Sequence, residues 1–189
     1  MSRGRRFHPE KADQLLDPRR KEKYPPEKIL ALLELREGDV VADLGSGNGF
    51  FTVPIAKKTG TTVYAVDIEP MMLEGLRDYA KRENVHTIRT IRSDLVQIAL
   101  PDGSVDKIFS SLVMHEVSDL DAMMREMKRI ARADCKILIL DWEAKEGHEG
   151  PPLSVRIPSE KLKSFFEKNN FSVKKQMINS DVYALMMSI

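Results

Sequence analysis

The chain has 189 residues, of which 42% are apolar and 31% charged; this balance is typical of one folded domain and excludes a disordered chain. No apolar run approaches the ~20 residues of a membrane span, and the polar, basic start lacks the apolar region of a signal peptide, so we expect a cytoplasmic protein that makes no use of a membrane. The single cysteine, Cys135, excludes an internal disulfide and a cysteine-rich metal site.

The net charge of +1 does not by itself predict a nucleic-acid partner, but the charge is unevenly distributed. Residues 1–28 contain nine basic and five acidic side chains. One interpretation is a solvated terminal arm; the other is an arm that folds over a functional site and attracts an anionic substrate. We therefore divide the chain into a basic arm and possible lid, residues 1–24, and a single domain, residues 25–189.

Segments typical of strands and helices alternate along the chain. Predicted strands cover residues 40–44, 62–66, 87–92, 106–112 and 136–140, and predicted helices cover residues 27–36, 48–60, 119–131 and 160–170, with another that starts at Pro70. Residues 172–178 and 182–187 then read as an antiparallel hairpin. The pattern predicts an α/β fold with a Rossmann-like, doubly wound, mostly parallel sheet and a closing antiparallel hairpin.

The most informative stretch follows the first predicted strand, where residues 43–49 read Asp-Leu-Gly-Ser-Gly-Asn-Gly. An apolar run, residues 40–42, leads directly into three glycines at alternate positions, and a helical pattern follows. Glycine is needed where the backbone turns with positive φ or where a ligand approaches the main chain closely. The stretch is therefore typical of a turn that binds a ligand.

A second feature follows the next predicted strand, residues 62–66, which ends in Asp67. A carboxylate about 20 residues past a glycine turn is placed to accept hydrogen bonds from both ribose hydroxyls of a nucleoside. Together, the glycine turn and Asp67 predict a cofactor that contains adenosine.

Polar residues occur at the ends of other predicted strands as well. Asp43, Asp67, Asp94, residues 110–115 and Asp141 all occupy such ends. In open α/β sheets the ligand lies beyond the carboxyl ends of the strands, where the strand order reverses. We therefore expect these residues to converge on one edge of the sheet.

Several segments together carry a family resemblance: residues 41–50, 66–68, 100–106 and 114–116, with Glu126, Arg129 and Ile130. The chain resembles the class I S-adenosylmethionine-dependent methyltransferases, and in particular the small methyltransferase-domain proteins similar to the quinone-biosynthesis C-methyltransferases. The resemblance covers nearly the whole chain. It implies S-adenosyl-L-methionine as the cofactor and S-adenosyl-L-homocysteine as the product.

The resemblance also implies which residues bind the cofactor. In the glycine turn, Asp43, Gly45 and Gly47 would hold the methionine part. The remaining residues of the turn would contact the cofactor as well, namely Ser46, Asn48 and Gly49.

For the rest of the cofactor, the resemblance implies contacts after the second, third and fourth strands. Asp67 would bind the ribose hydroxyls, with Ile68 against the adenine. Asp94 would accept a hydrogen bond from the adenine amino group, with Leu95 beside the ring. Ser110 and the residues after it would line the methyl-donor end.

The glycine spacing also bears on the choice of cofactor. A dinucleotide site requires Gly-x-Gly-x-x-Gly and a pyrophosphate at a helix N-terminus. Here Phe50 occupies the position of the third glycine. The carboxylate of Asp43 suits a cationic amino-acid group and would repel a pyrophosphate, so the motif favours S-adenosylmethionine over NAD.

Catalysis of methyl transfer requires that the protein align a nucleophile, exclude water and in some cases remove a proton. His115 is the preferred candidate base because it follows the fourth strand at the ligand edge; the alternative is a structural histidine in a loop or helix cap. Glu116 and Asp141 are further candidates, with hydrogen bonding to loop backbone as their alternative role. Trp142 could stack on a flat substrate, and Tyr24 could close the site from the arm.

The acceptor class follows mainly from absent motifs. Enzymes that methylate amino groups of nucleic-acid bases carry an Asn/Asp-Pro-Pro-aromatic run after the fourth strand, where this chain has Ser-Leu-Val-Met at residues 111–114. A small-molecule acceptor is therefore the preferred hypothesis. Two alternatives stay open: a methyltransferase that acts on RNA or protein through the basic arm, and an NAD-dependent oxidoreductase. His148 and Glu149 are too weak a pair to predict a metal site.

Overall fold

The computed structural model describes residues 18–147 and 149–188. Its helices are α1 (Pro18–Lys23), α2 (Pro26–Ala31), α3 (Thr52–Thr59), α4 (Pro70–Arg82), α5 (Leu120–Ile130) and α6 (Ser159–Lys168). Its strands are β1 (Val41–Leu44), β2 (Val63–Asp67), β3 (Ile88–Arg92), β4 (Val105–Ser111), β5 (Ala131–Trp142), β6 (Ser172–Met177) and β7 (Val182–Ser188). Within the described ranges, every helix is too short or too polar to cross a lipid bilayer.

The strands form one seven-stranded sheet in the order β3-β2-β1-β4-β5-β7-β6. Strands β1 to β5 pair in parallel, and β7 is antiparallel to both β5 and β6. The predicted Rossmann-like, doubly wound fold with a closing antiparallel hairpin is confirmed. The hairpin inserts its second strand, β7, beside β5 and leaves β6 at the edge.

Both faces of the sheet are buried, as the alternation of side chains along β4 illustrates. Ile108 belongs to a cluster that includes Met127 of α5 and Phe166 of α6. Its neighbour Phe109 belongs to a second cluster, which includes Ile55 of α3. Helices therefore cover the sheet on both sides, and the free surface for a ligand lies at the strand ends.

The helix predicted over residues 27–36 ends already at Ala31. Two other predicted boundaries moved for local reasons. The helix expected over residues 48–60 begins only at Thr52, because the glycine turn occupies the residues before it, with φ of 75° at Gly45 and 53° at Gly47. Strand β5 begins at Ala131 rather than at residue 136 and continues to Trp142, since it pairs with β4 on one side and β7 on the other.

The start of α6 is stabilised from outside the helix. Ser159 is the first helical residue, and Pro158 at the cap position offers no side-chain hydrogen bond. Instead, the carboxylate of Glu143 accepts the backbone N–H of Ser159 at 3.1 Å. This bond ties the helix to the loop that follows β5.

Arg129, one of the residues that carry the family resemblance, has a structural role. Its guanidinium donates to the carbonyl oxygens of Ile98 at 2.8 Å and Leu100 at 2.7 Å. It also forms ion pairs with Glu126 and Asp102, both at 2.7 Å. These contacts fix the loop between β3 and β4.

Gly45 allows two loops to meet at the point where the strand order reverses. It has a φ of 75°, and a Cβ at this position would lie 2.8 Å from the side chain of Val113, the second residue after β4. Any other residue here would combine backbone strain with a steric clash.

A pair of glycine substitutions separates these two effects. Gly60 has a similar φ of 66°, but a Cβ there would have no neighbour within 4 Å. We expect Gly60→Ala to lower the free energy of unfolding by about 1 kcal/mol through backbone strain alone. Gly45→Ala should lower it by about 2 kcal/mol or more, because Val113 must also move. Urea denaturation measures both values, and equal losses would contradict the proposed close contact.

Candidate active site

The carboxyl ends of the parallel strands open into a cavity of about 1050 Å³. It lies beside the reversal of strand order between β1 and β4, where open α/β sheets bind ligands. The predicted site residues that line it are Asp43, Gly45, Ser46, Gly47, Asn48, Asp67, Ile68, Asp94, Leu95, His115 and Glu116. The structure thus brings side chains from four separate strand ends to one space.

The remaining predicted site residues do not line this cavity. A Cβ on Gly49 would lie 2.9 Å from Leu76, so this glycine serves helix packing. Ser110 is fully buried, and its hydroxyl donates to the carbonyl oxygen of Leu44 at 2.8 Å, across the β1–β4 pair. The next residue, Ser111, lines the cavity in its place. Asp141 is also fully buried, behind the lining.

Asp43, at the end of β1, is a buried carboxyl group. The hydroxyl of Thr52, the first residue of α3, donates to it at 2.6 Å. Burial raises the pKa of Asp43 to about 7; the hydrogen bond from Thr52 opposes this rise, and the nearby charge of Asp67 adds to it. The group is therefore poised to ionise near neutral pH, which a cationic ligand would favour.

Asp67, at the end of β2, holds the glycine turn in place. One carboxylate oxygen accepts the backbone N–H of Gly47 at 2.8 Å, and the other accepts the backbone N–H of Glu69 at 2.9 Å. Burial raises the pKa of Asp67, and these two backbone bonds act against the rise. Each oxygen has a second lone pair, with which it can accept a hydrogen bond from a ligand hydroxyl.

His115 and Asp141 form a hydrogen-bonded pair. The imidazole Nδ1 lies 2.7 Å from Asp141 Oδ1, while the backbone N–H groups of His115 and Trp142 donate to the same carboxylate at 3.0 and 2.8 Å. Because a carboxylate only accepts hydrogen bonds, Nδ1 carries the proton and Nε2 of the neutral ring is the basic atom. Nε2 lies 3.7 Å from a carboxylate oxygen of Glu116.

The environment of His115 makes it a stronger base. Burial by itself lowers the pKa of His115, but the hydrogen bond and charge of Asp141, together with the charge of Glu116, outweigh burial and raise the pKa above its usual value. Asp141 thus both orients the ring and stabilises its protonated form.

Helix α1 contributes a wall of the cavity that the sequence did not identify residue by residue. Its side chains Arg19, Arg20 and Lys23 line the cavity, followed by Tyr24. Trp142 lines it from the end of β5. The only sequence signal for the three cations was the charge run, which carries no information about where a side chain lies.

Two predictions concern residues that the structure does not describe: residues 1–17 of the basic arm, and His148. Across residues 18–147 and 149–188, no cluster of three or more His, Cys, Asp and Glu side chains could hold a metal ion.

Comparisons with known proteins agree with this geometry. A family model described as "Methyltransferase domain" matches residues 42–139, the segment from β1 into β5. The chain is similar to a crystal structure of a SAM-dependent methyltransferase from Aquifex aeolicus, with 29% identity and a TM-score of 0.91. The superposition covers 97% of this chain and 100% of that one. The predicted resemblance to S-adenosylmethionine-dependent methyltransferases is confirmed.

Curated relatives match over a shorter length. The malonyl-[acyl-carrier protein] O-methyltransferase of Serratia marcescens is 34% identical over 112 residues, which are 59% of this chain and 42% of that protein. The demethylmenaquinone methyltransferase of Tropheryma whipplei is 29% identical over 111 residues, or 59% of this chain and 45% of that protein. The chain therefore spans less than half of the length of these relatives.

The buried carboxyl of Asp43 should make folding stability depend on pH. The folded protein holds this proton up to a pH of about 7, whereas the unfolded chain releases it near the ordinary value of about 3.9. Protonation therefore stabilises the fold fully below this lower value, and the contribution is lost as the pH rises to about 7.

Asp43→Asn keeps the shape and an acceptor for Thr52 but removes the titration. We expect the free energy of unfolding of the wild type, relative to this variant, to fall by on the order of a few kcal/mol between pH 4 and pH 8. Urea denaturation across this range measures the difference. A constant difference would show that burial does not perturb Asp43.

Proposed function

The chain belongs to the methyltransferase domain family, and we propose that it transfers the methyl group of S-adenosyl-L-methionine to a small-molecule acceptor and releases S-adenosyl-L-homocysteine. The observation that carries this proposal is the cavity itself. Carboxylates at the ends of β1 and β2 line it, and so does His115, which follows β4 and is hydrogen-bonded to Asp141 near the end of β5. The matching family and its relatives are methyltransferases, so the oxidoreductase alternative has no support.

The residues around the glycine turn fit the cofactor. In this proposal, Asp67 accepts hydrogen bonds from the ribose hydroxyls through the lone pairs that its backbone donors leave. The main chain at Gly45 and Gly47 supports the methionine part, and Asp43 attracts its positive charge. Ile68, with Asp94 and Leu95 in the places that the resemblance assigns, would surround the adenine. The bound cofactor supplies an electrophilic methyl group.

His115 acts as the general base in this proposal. Its Nε2 accepts a proton from the nucleophilic atom of the acceptor, while Nδ1–H stays bonded to Asp141. The buried carboxylate of Asp141 stabilises the imidazolium that forms. Such assistance contributes about 10²- to 10⁴-fold to a rate when the acceptor must lose a proton.

The size of the cavity supports a small acceptor. Its volume of about 1050 Å³ slightly exceeds the range of about 300–1,000 Å³ of ligand pockets, so an acceptor has room beside the cofactor. Incubation with labelled donor and a metabolite extract tests this proposal. We expect label in the small-molecule fraction; label only in RNA or protein would favour the macromolecular alternative.

Cofactor binding gives a prediction that needs no acceptor. S-adenosylhomocysteine at 100 times its dissociation constant should raise the free energy of unfolding by about 2.7 kcal/mol, and NAD should not raise it. Asp67→Ala should weaken S-adenosylhomocysteine at least about tenfold, because it removes charge-assisted hydrogen bonds to the sugar. Asp78→Ala, which removes an exposed carboxylate from α4, is the matched control. Isothermal titration measures these affinities, and an unchanged Asp67→Ala value would remove the ribose assignment.

The histidine–aspartate pair predicts a pKa that depends on Asp141. In ¹H–¹³C spectra of labelled protein, His115→Gln identifies the signal of this residue. That signal should give a pKa above the ordinary histidine value in the wild type, and a lower pKa in Asp141→Asn, because the hydrogen bond and charge of Asp141 raise it. An unchanged pKa would contradict the role of Asp141. With an acceptor in hand, His115→Gln should reduce methyl transfer about 10²-fold while the affinity for S-adenosylhomocysteine stays within about twofold.

A further inference from the structure

The cavity has an acidic side and a basic side. Asp43 and Asp67 lie at the ends of β1 and β2, whereas the cations Arg19, Arg20 and Lys23 come from α1. Lys23 lies over the ring of Trp142 at the end of β5, with its Nζ 5.5 Å from the ring centroid. Because β2 and β5 are three strand spacings apart, the ends at which Asp67 and Trp142 lie are about 14 Å from each other. The proposed cofactor is cationic and suits the acidic side.

Arg20 differs from the other charged groups in this wall. Its guanidinium lies over the ring of Phe50, 4.9 Å from the centroid, and 5.6 Å from that of Tyr24. Its Nε is buried and has no hydrogen-bond partner, and no carboxylate of the described residues forms an ion pair with it. Lys23, in contrast, is paired with Glu149. A desolvated guanidinium without a counter-charge costs free energy, which an anionic ligand would recover.

The surroundings of Arg20 favour a flat ligand. The rings of Tyr24, Phe50 and Trp142 all contribute to the lining. Backbone approaches the Trp142 ring closely, since a Cβ on Gly150 would lie 2.7 Å from it. Trp142 is only 9% exposed. Aromatic walls of fixed orientation bind planar groups well, and a guanidinium binds a carboxylate through two parallel hydrogen bonds.

We propose that Arg20 is the anion-binding residue of the acceptor site, and that the methyl acceptor is a planar, unsaturated compound that carries a carboxylate. This inference rests on the proposed function, because it assigns the basic side of the same cavity to the acceptor. It commits Arg20 to the acceptor rather than to the carboxylate of the cofactor.

Benzoate and its neutral isostere benzamide test the proposal on the 189-residue chain saturated with S-adenosylhomocysteine. Ligand-observed NMR should detect binding of benzoate at least about tenfold tighter than that of benzamide, since only benzoate has the charge. Arg20→Gln should weaken benzoate about tenfold or more, Arg20→Lys less, and Lys21→Gln, an exposed neighbour on α1, should change it less than twofold.

A second titration separates the two possible carboxylates. Under the proposal, Arg20→Gln changes the affinity for S-adenosylhomocysteine by less than about twofold. The affinity for 5′-methylthioadenosine, which lacks the amino-acid part, should change equally little. A loss for S-adenosylhomocysteine alone would assign Arg20 to the cofactor and overturn the proposal. Equal binding of benzoate and benzamide, binding of neither, or benzoate binding that survives in Arg20→Gln would overturn it as well. If wild-type protein fails to bind S-adenosylhomocysteine, the proposed function fails instead.

Discussion

The carboxylate of Asp67 is the connection on which the geometry of the cavity depends. It ends β2, yet it accepts the N–H of Gly47 in the turn after β1 and that of Glu69 just before α4. The bond to Gly47 requires a backbone that turns with a φ of 53°, which explains the glycine. Two neighbouring loops are thereby fixed relative to each other, and the ends of β1 and β2 face the cavity as one rigid surface.

The buried charges of the site are balanced in different ways. Asp43 has one hydroxyl donor, and burial dominates its ionisation. Asp141 has two backbone donors and the His115 ring, so its charge is well satisfied. Arg20 has aromatic faces but no carboxylate among the described residues. A buried charge with too few partners lowers the stability of the fold. A ligand that brings the missing partner therefore gains binding free energy at that position.

Spacing along the chain was enough to predict the glycine turn, Asp67 and the alternation of strands and helices, because these features depend on local backbone geometry. The partnership of His115 with Asp141 was not predicted. It joins residues that are 26 positions apart, and it depends on the register in which Ser111 of β4 lies beside Leu140 of β5. The family resemblance placed Ser110 and the residues after it at the cavity, whereas alternation along β4 buries Ser110 and turns Ser111 to the cavity.

The position of β7 has a consequence for the order in which the sheet is completed during synthesis. β7 follows every other described strand in the sequence, yet it lies between β5 and β6. A growing chain therefore presents the edge of β5 without its neighbour until residues 182–188 leave the ribosome. Val182 then pairs with Trp142, which forms part of the cavity wall. The wall of the ligand site at Trp142 is therefore completed only after β7 has been synthesised and has paired with β5.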